Sequence, residues 1–104
     1  PQLVYDLKKY YPQQFAQFQL QLFDVQKDYL VQYLQQGIRE GLVREQLDIE
    51  MTAVILAKLH TDAIRDMEQI ENHGYKMHNY SQTIKDIIIR GVLSEEGLAL
   101  YNKE

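Results

Sequence analysis

A chain of 104 residues, 45% hydrophobic and 25% charged, sits in the range of one ordinary globular domain rather than a disordered segment. Its net charge is −4 and no run of lysines and arginines breaks that balance, which argues against the chain itself gripping a phosphate backbone. The absence of cysteine excludes disulfides and thiolate chemistry, and no apolar run approaches the roughly 20 residues needed to span a bilayer.

Nothing in the chain reads as a signal peptide. A domain of this length buries somewhat over about 60% of its unfolded surface, which leaves little core to spare and makes oligomerisation a reasonable expectation. The chain opens "PQLVYDLKKYY", inside a helical pattern and without an initiator methionine, and reads as a single domain, 1–104, taken from a longer protein.

In chain order, a first helix is expected over about 2 to 10. A second is expected from about 12 to 40, with Pro12 suited to a first helical position. Within it "QFQLQLF", 17–23, alternates like a strand, but glutamine is a good helix former and the pattern runs unbroken to Gly41. A third helix starts after Asp48 as N-cap and runs to about 71. The segment "ENHGYKMHNY", 71–80, is expected as loop. A fourth helix follows over about 81 to 93 with Ser81 as N-cap, and a short one follows Ser94, where Glu95 and Glu96 suit a helix N-terminus. The expected fold is all-α, an antiparallel bundle of about four to five helices.

Placing residues at roughly 100° steps divides the second helix into two apolar seams. Phe15, Phe18, Leu22, Val25, Tyr29 and Tyr33 share one face; Ala16, Leu20, Phe23, Leu30, Leu34 and Ile38 share another, with Gln19 and Gln26 between them. The helix is therefore expected to be gripped on two sides. Gly37, on the margin of the aliphatic seam, would admit a neighbouring helix, and Gly41 would close the helix in a left-handed conformation. The third helix is apolar nearly all round in its first half, with His60 near the centre of its main stripe beside Leu56, Ala63 and Ile64. The fourth carries Ile84, Ile87, Ile88, Ile89, Val92 and Leu93 over more than half its circumference. One small core cannot cover that arc, so a helical-bundle homodimer is expected. Its interface is assigned to Leu59, Ile84, Ile87, Ile88 and Val92, against the plainer reading that these build only the monomer's core.

"DLKKYYPQQFAQF", "LQQGIREGLVREQLDIE" and "IIIRGVLSEEGLALYNK" together resemble the C-terminal regulatory domain of TetR/AcrR-type bacterial transcriptional regulators. The matching positions are Tyr10, Tyr11 and Pro12 at the entry to the long helix, Gly37, Gly41 and Arg44 at its end, and Arg90 with Gly91 before the terminal helix. The departure is "IENHGYKMHNY", longer and more polar than that pattern. The resemblance covers nearly the whole chain. It implies a cytoplasmic homodimer, paired through the last two long helices of each subunit. It further implies a small-molecule effector of apolar or aromatic character, and operator DNA bound only through an N-terminal helix-turn-helix that these residues do not include. A repressor is the expected form.

Under that resemblance Phe15, Phe18, Leu22, Tyr29 and Tyr33 are assigned to the effector pocket, with His60 as its hydrogen-bonding or titratable group. The competing readings are an aromatic seam packed as core on the first helix, and a satisfied buried histidine. His60, His73 and His78 match no zinc spacing, no cofactor motif is present, and no nucleophile arrangement or phosphate loop supports catalysis. The alternative function is a standalone helical protein–protein interaction module using the isoleucine face.

Overall fold

Pro12 divides the first helical stretch in two: α1 spans Gln2–Tyr10 and α2 spans Pro12–Arg39. A residue that precedes proline is pushed out of the helical region, and Tyr11 accordingly stands at φ −133°, ψ 58°. The computed structural model describes residues 2–103, and among these every side chain except that of Ile64. Four further helices follow: α3 (Ile49–Thr61), α4 (Ala63–Asn72), α5 (Met77–Val92) and α6 (Glu95–Asn102). The fold is all-helical, with no strand among the described residues.

Two boundaries depart from the sequence reading. The single helix expected from 48 to about 71 breaks at Asp62 (φ −93°, ψ 3°) into α3 and α4. Thr61 bonds back to the backbone in the manner that bends helices, while the Asp62 carboxylate pairs with cations on both sides of the break. The Thr61 hydroxyl donates to the Lys58 carbonyl at 3.2 Å, and the Asp62 carboxylate draws Lys58 at 3.2 Å and Arg65 at 2.9 Å. The Thr61 carbonyl accepts from Gln19 Nε2 on α2 at 3.3 Å, so a glutamine taken as a mere spacer ties α2 to the end of α3.

The second departure is the loop. Ser81 does not cap a helix; α5 begins at Met77, which leaves only residues 73–76 between α4 and α5. Gly74 makes this short turn possible by adopting φ +86°. Its N–H then donates to the Glu71 carbonyl at 3.0 Å and that of Tyr75 to the Ile70 carbonyl at 3.1 Å, closing α4 in a Schellman pattern. Starting early lets Met77 and Tyr80, both partly buried, join the packed side of α5.

The two glycines at the end of α2 act as a unit. Gly41 takes φ +77°, its N–H donates to the Ile38 carbonyl at 3.0 Å, and that of Leu42 donates to the Gly37 carbonyl at 2.9 Å. The chain thereby turns back on itself, and Val43 comes to lie on Gly37, where any Cβ would overlap the Val43 side chain. Gly37 thus admits the segment that follows its own helix, not a neighbouring helix as expected from its place in the seam. Val43 pairs antiparallel with Leu93. The Arg44 N–H donates to the Val92 carbonyl and the Ser94 N–H to the Leu42 carbonyl, both at 3.0 Å, which laces the ends of α2 and α5 together. Asp48 and Ser94 cap α3 and α6 as their residue types predict, accepting from the N–H groups of Met51 and Gly97, each at 3.0 Å.

The core is small. Leu34, Val43, Ala53 and Ala57 are its buried hydrophobics, with Leu30, Ile38, Leu47, Val92 and Leu93 packed in part around them. Ala53 and Ala57 lie one turn apart on α3 and let α2 and α3 approach closely, the chief helix–helix contact of the fold. The covered side of α2 takes in Gln19 and Gln26 together with Phe23, Leu30, Leu34 and Ile38 of the aliphatic seam, so α2 is held on one side only. Phe18, Val25, Tyr29 and Tyr33 face outward, and so does Leu20 of the aliphatic seam.

The result is an open shape. The chain exposes 8134 Å² where a compact protein of its mass would expose about 6,100 Å². Its radius of gyration is 16.2 Å where about 13 Å is usual for this length. Much apolar surface has been left without a partner inside the chain.

Candidate functional site

α5 is fastened at both ends and stands clear in between. At its C-terminal end Val92 and Leu93 join the core. Near its start the Tyr80 hydroxyl donates to Asp66 of α4 at 3.5 Å. Between these points the helix leaves an open groove of about 420 Å³ beside α3 and α4. Its walls are Leu56, Leu59 and Ala63 on one side and Ile84, Ile88 and Ile89 on the other. Polar groups gather at the α4 end: Asp66, Tyr80 and Ser81, with His60 on the lining nearby. A mostly apolar concavity of a few hundred Å³ with a few convergent polar groups is the usual form of a small-molecule site.

A second space, about 470 Å³, lies on the neighbouring flank of α5, lined by Ile70, Tyr75, Thr83 and Ile87 and sharing Tyr80 and Ile84 with the first. Ile87 is 64% exposed there, an unusual position for a β-branched aliphatic unless a partner covers it. Of the residues assigned to a dimer surface, Leu59 and Ile88 line the first space, Ile87 the second, and Ile84 both. Val92 differs: it packs against the monomer's own core, because the Val43–Leu93 bridge draws the end of α5 inward.

The six residues assigned to an effector pocket are not brought together. Phe15 and Leu22 are half-buried at the edge of the α2–α3 contact, whereas Phe18, Tyr29 and Tyr33 are exposed, Tyr33 by 68%. Tyr29 and Tyr33 stack on each other, centroids 6.3 Å apart. His60 is exposed and belongs to the α3–α5 groove, apart from the ring-bearing face; it is not a buried centre of the α3 stripe. Ile64, placed beside it in that stripe, has its side chain outside the described residues.

Asp66 and Tyr80 were missed by the sequence reading. Tyr80 fell in the supposed loop, and Asp66 was assigned no role. The signal available was that Met77, Tyr80, Ile84, Ile87 and Ile88 continue one helical stripe back into that loop. Partial burial first, and then the charge of Asp66 and its hydrogen bond, push the Tyr80 hydroxyl above its usual value of 10.0. An acid whose folded-state value is raised stabilises the fold while protonated and loses that contribution as pH rises through the ordinary tyrosine range and beyond. Melting temperature is therefore expected to fall more steeply above about pH 10 in the wild type than in Tyr80→Phe. Parallel curves for the two proteins would remove Tyr80 from any role in docking α5.

Among the described residues, no three of His, Asp and Glu gather closely enough to hold a metal ion. None of the described helices is long and apolar enough to cross a membrane. Comparison with family models, with curated proteins and with solved structures finds no match to this chain.

Proposed function

We propose that this chain is the effector-binding and homodimerisation domain of a TetR-type transcriptional regulator. Its task in this reading is to set the spacing of two DNA-reading heads, each a helix-turn-helix outside these residues, through the pairing of its last helices. Dimeric helix-turn-helix proteins read half-sites about one turn of DNA apart, so a domain that controls that distance controls operator binding without touching DNA. The chain's net charge of −4 accords with this division of labour. Catalysis has no part in it.

The observation that carries the dimer is the open apolar face of α5, centred on the exposed Ile87, in a protomer with about 2,000 Å² more surface than its mass requires. A standard interface covers about 800 Å² on each partner, so the excess is ample for one. The effector half rests on the resemblance, since the ring-bearing face of α2 is open in the protomer and His60 stands apart from it.

Sedimentation equilibrium at micromolar concentration is expected to find a dimer. Ile87→Glu is expected to weaken it at least about 30-fold, the loss typical of a central interface residue, with helicity unchanged. A wild type that stays monomeric throughout overturns the dimer and favours the interaction-module alternative.

A further inference from the structure

The groove between α3–α4 and α5 carries an inference that stands whether the chain is a regulator or an adaptor. Asp66 lies at its polar end with a side chain only 20% exposed. A carboxylate so covered ordinarily holds short, charge-assisted bonds, because losing water without replacement is costly. Among the described residues Asp66 has none of that kind: Tyr80 reaches it at 3.5 Å and Arg65 at 3.8 Å, while Arg65 makes its short bond, 2.9 Å, to Asp62. Lys85, the other charged residue on the lining, is drawn toward α6, its ammonium 5.9 Å from the centre of the Tyr101 ring. The groove thus has an apolar body and one negative end whose contacts among the described residues are long.

We infer that this groove binds a small organic amine, its aromatic or alicyclic body between Leu56, Leu59, Ile84 and Ile88 and its ammonium on Asp66. The volume of about 420 Å³ suits a body of one or two rings. An ammonium supplies the short, charged donor that Asp66 lacks, and the Tyr80 hydroxyl beside it can turn to accept a second proton of the same head. The two spaces share Tyr80 and Ile84, so a second copy seated over Ile87 borders this groove, and binding is measured with and without that contact.

The test uses 1-naphthylmethylamine, with 1-naphthoate as an anion of similar shape, titrated by calorimetry into the wild-type chain and into Ile87→Glu. The amine is expected to bind at least tenfold more tightly than naphthoate. Asp66→Asn, nearly isosteric, is expected to weaken the amine about tenfold and leave naphthoate unchanged, and Ser81→Phe, which sets a ring at the groove's mouth, to weaken both. Circular dichroism of each variant checks that helicity is kept. Binding in Ile87→Glu alone still supports the groove and shows that a partner copy closes it. No binding to either protein at millimolar amine, equal binding of amine and anion, or indifference of a folded Asp66→Asn would each overturn the inference. Because Ile87→Glu is read separately, failure of the groove is distinguishable from failure of the dimer.

Discussion

Leu34→Ala is expected to remove most of this chain's stability. Leu34 is 6% exposed and is the largest side chain of a core whose other buried members are Val43, Ala53 and Ala57. Truncating a buried leucine costs about 2–5 kcal/mol, from lost transfer free energy and the cavity left behind. Small domains have about 5–15 kcal/mol in total, and a chain with so little buried belongs near the bottom of that range. Urea denaturation at fixed protein concentration should show the midpoint falling sharply, the concentration being held because association adds to apparent stability. Leu20→Ala is the matched control. Both leucines lie on the aliphatic seam of α2, but Leu20 is 66% exposed and its loss should stay within about 0.5 kcal/mol. Equal effects at the two positions would mean that α3 does not cover α2 where it is described here.

Gly97→Ala is expected to destabilise by about 1–3 kcal/mol, the usual cost of forcing extra volume into a closed contact. Helix propensity alone predicts the reverse, since alanine in a helix is favoured over glycine by about 1 kcal/mol. Steric contact decides the sign. A Cβ at Gly97 would overlap the Leu42 carbonyl oxygen and stand 3.2 Å from the Leu93 Cβ. That carbonyl cannot swing aside freely, because it accepts the Ser94 N–H at 3.0 Å in the pairing that joins the ends of α2 and α5. The collision is with backbone, not with the free end of a side chain. A thermal melt in which Gly97→Ala matches or exceeds the wild type would show that α6 does not rest on Leu42.

Helix identity was legible in the chain where local chemistry is decisive. Pro12 places the α1–α2 break, Asp48 and Ser94 start α3 and α6, and Gly41 ends α2, because each acts through its own backbone or its nearest N–H groups. The errors fall where distant contacts override local preference. Ser81 is a good N-cap by type, yet α5 starts at Met77, since Met77 and Tyr80 gain burial by extending the helix back to the Gly74 turn. Gln19 and Gln26 were read only as separating the two seams, yet both are partly buried, and Gln19 finds the Thr61 carbonyl at the end of α3. Periodicity says which residues share a face of a helix, and it cannot say which of two apolar faces a single neighbour will cover.

The candidate site shows the same division. The apolar stripe of α5 could be seen in its isoleucines, and Leu59, Ile84 and Ile88 do line one open space. The polar end of that space could not be seen, because Asp66 and Tyr80 belong to different helices, 14 positions apart, and meet only through the turn at Gly74. The ring-bearing residues of α2 share a face as their spacing requires, but what covers that face depends on where α3 settles.

By itself the sequence determined an all-helical chain, the residues that start and stop most of its helices, and an apolar surplus on α5. These follow from short-range hydrogen bonding and from the angular step of the helix. Only the tertiary structure decided that α2 is covered on its aliphatic and glutamine side and left open on its ring-bearing side, that Gly37 and Gly97 make room for Val43 and Leu42, and that α5 stands off α3 to leave a groove ending on Asp66. Those outcomes turn on contacts between side chains far apart in the chain, and a small difference in buried area is enough to choose among arrangements that local preference leaves equal.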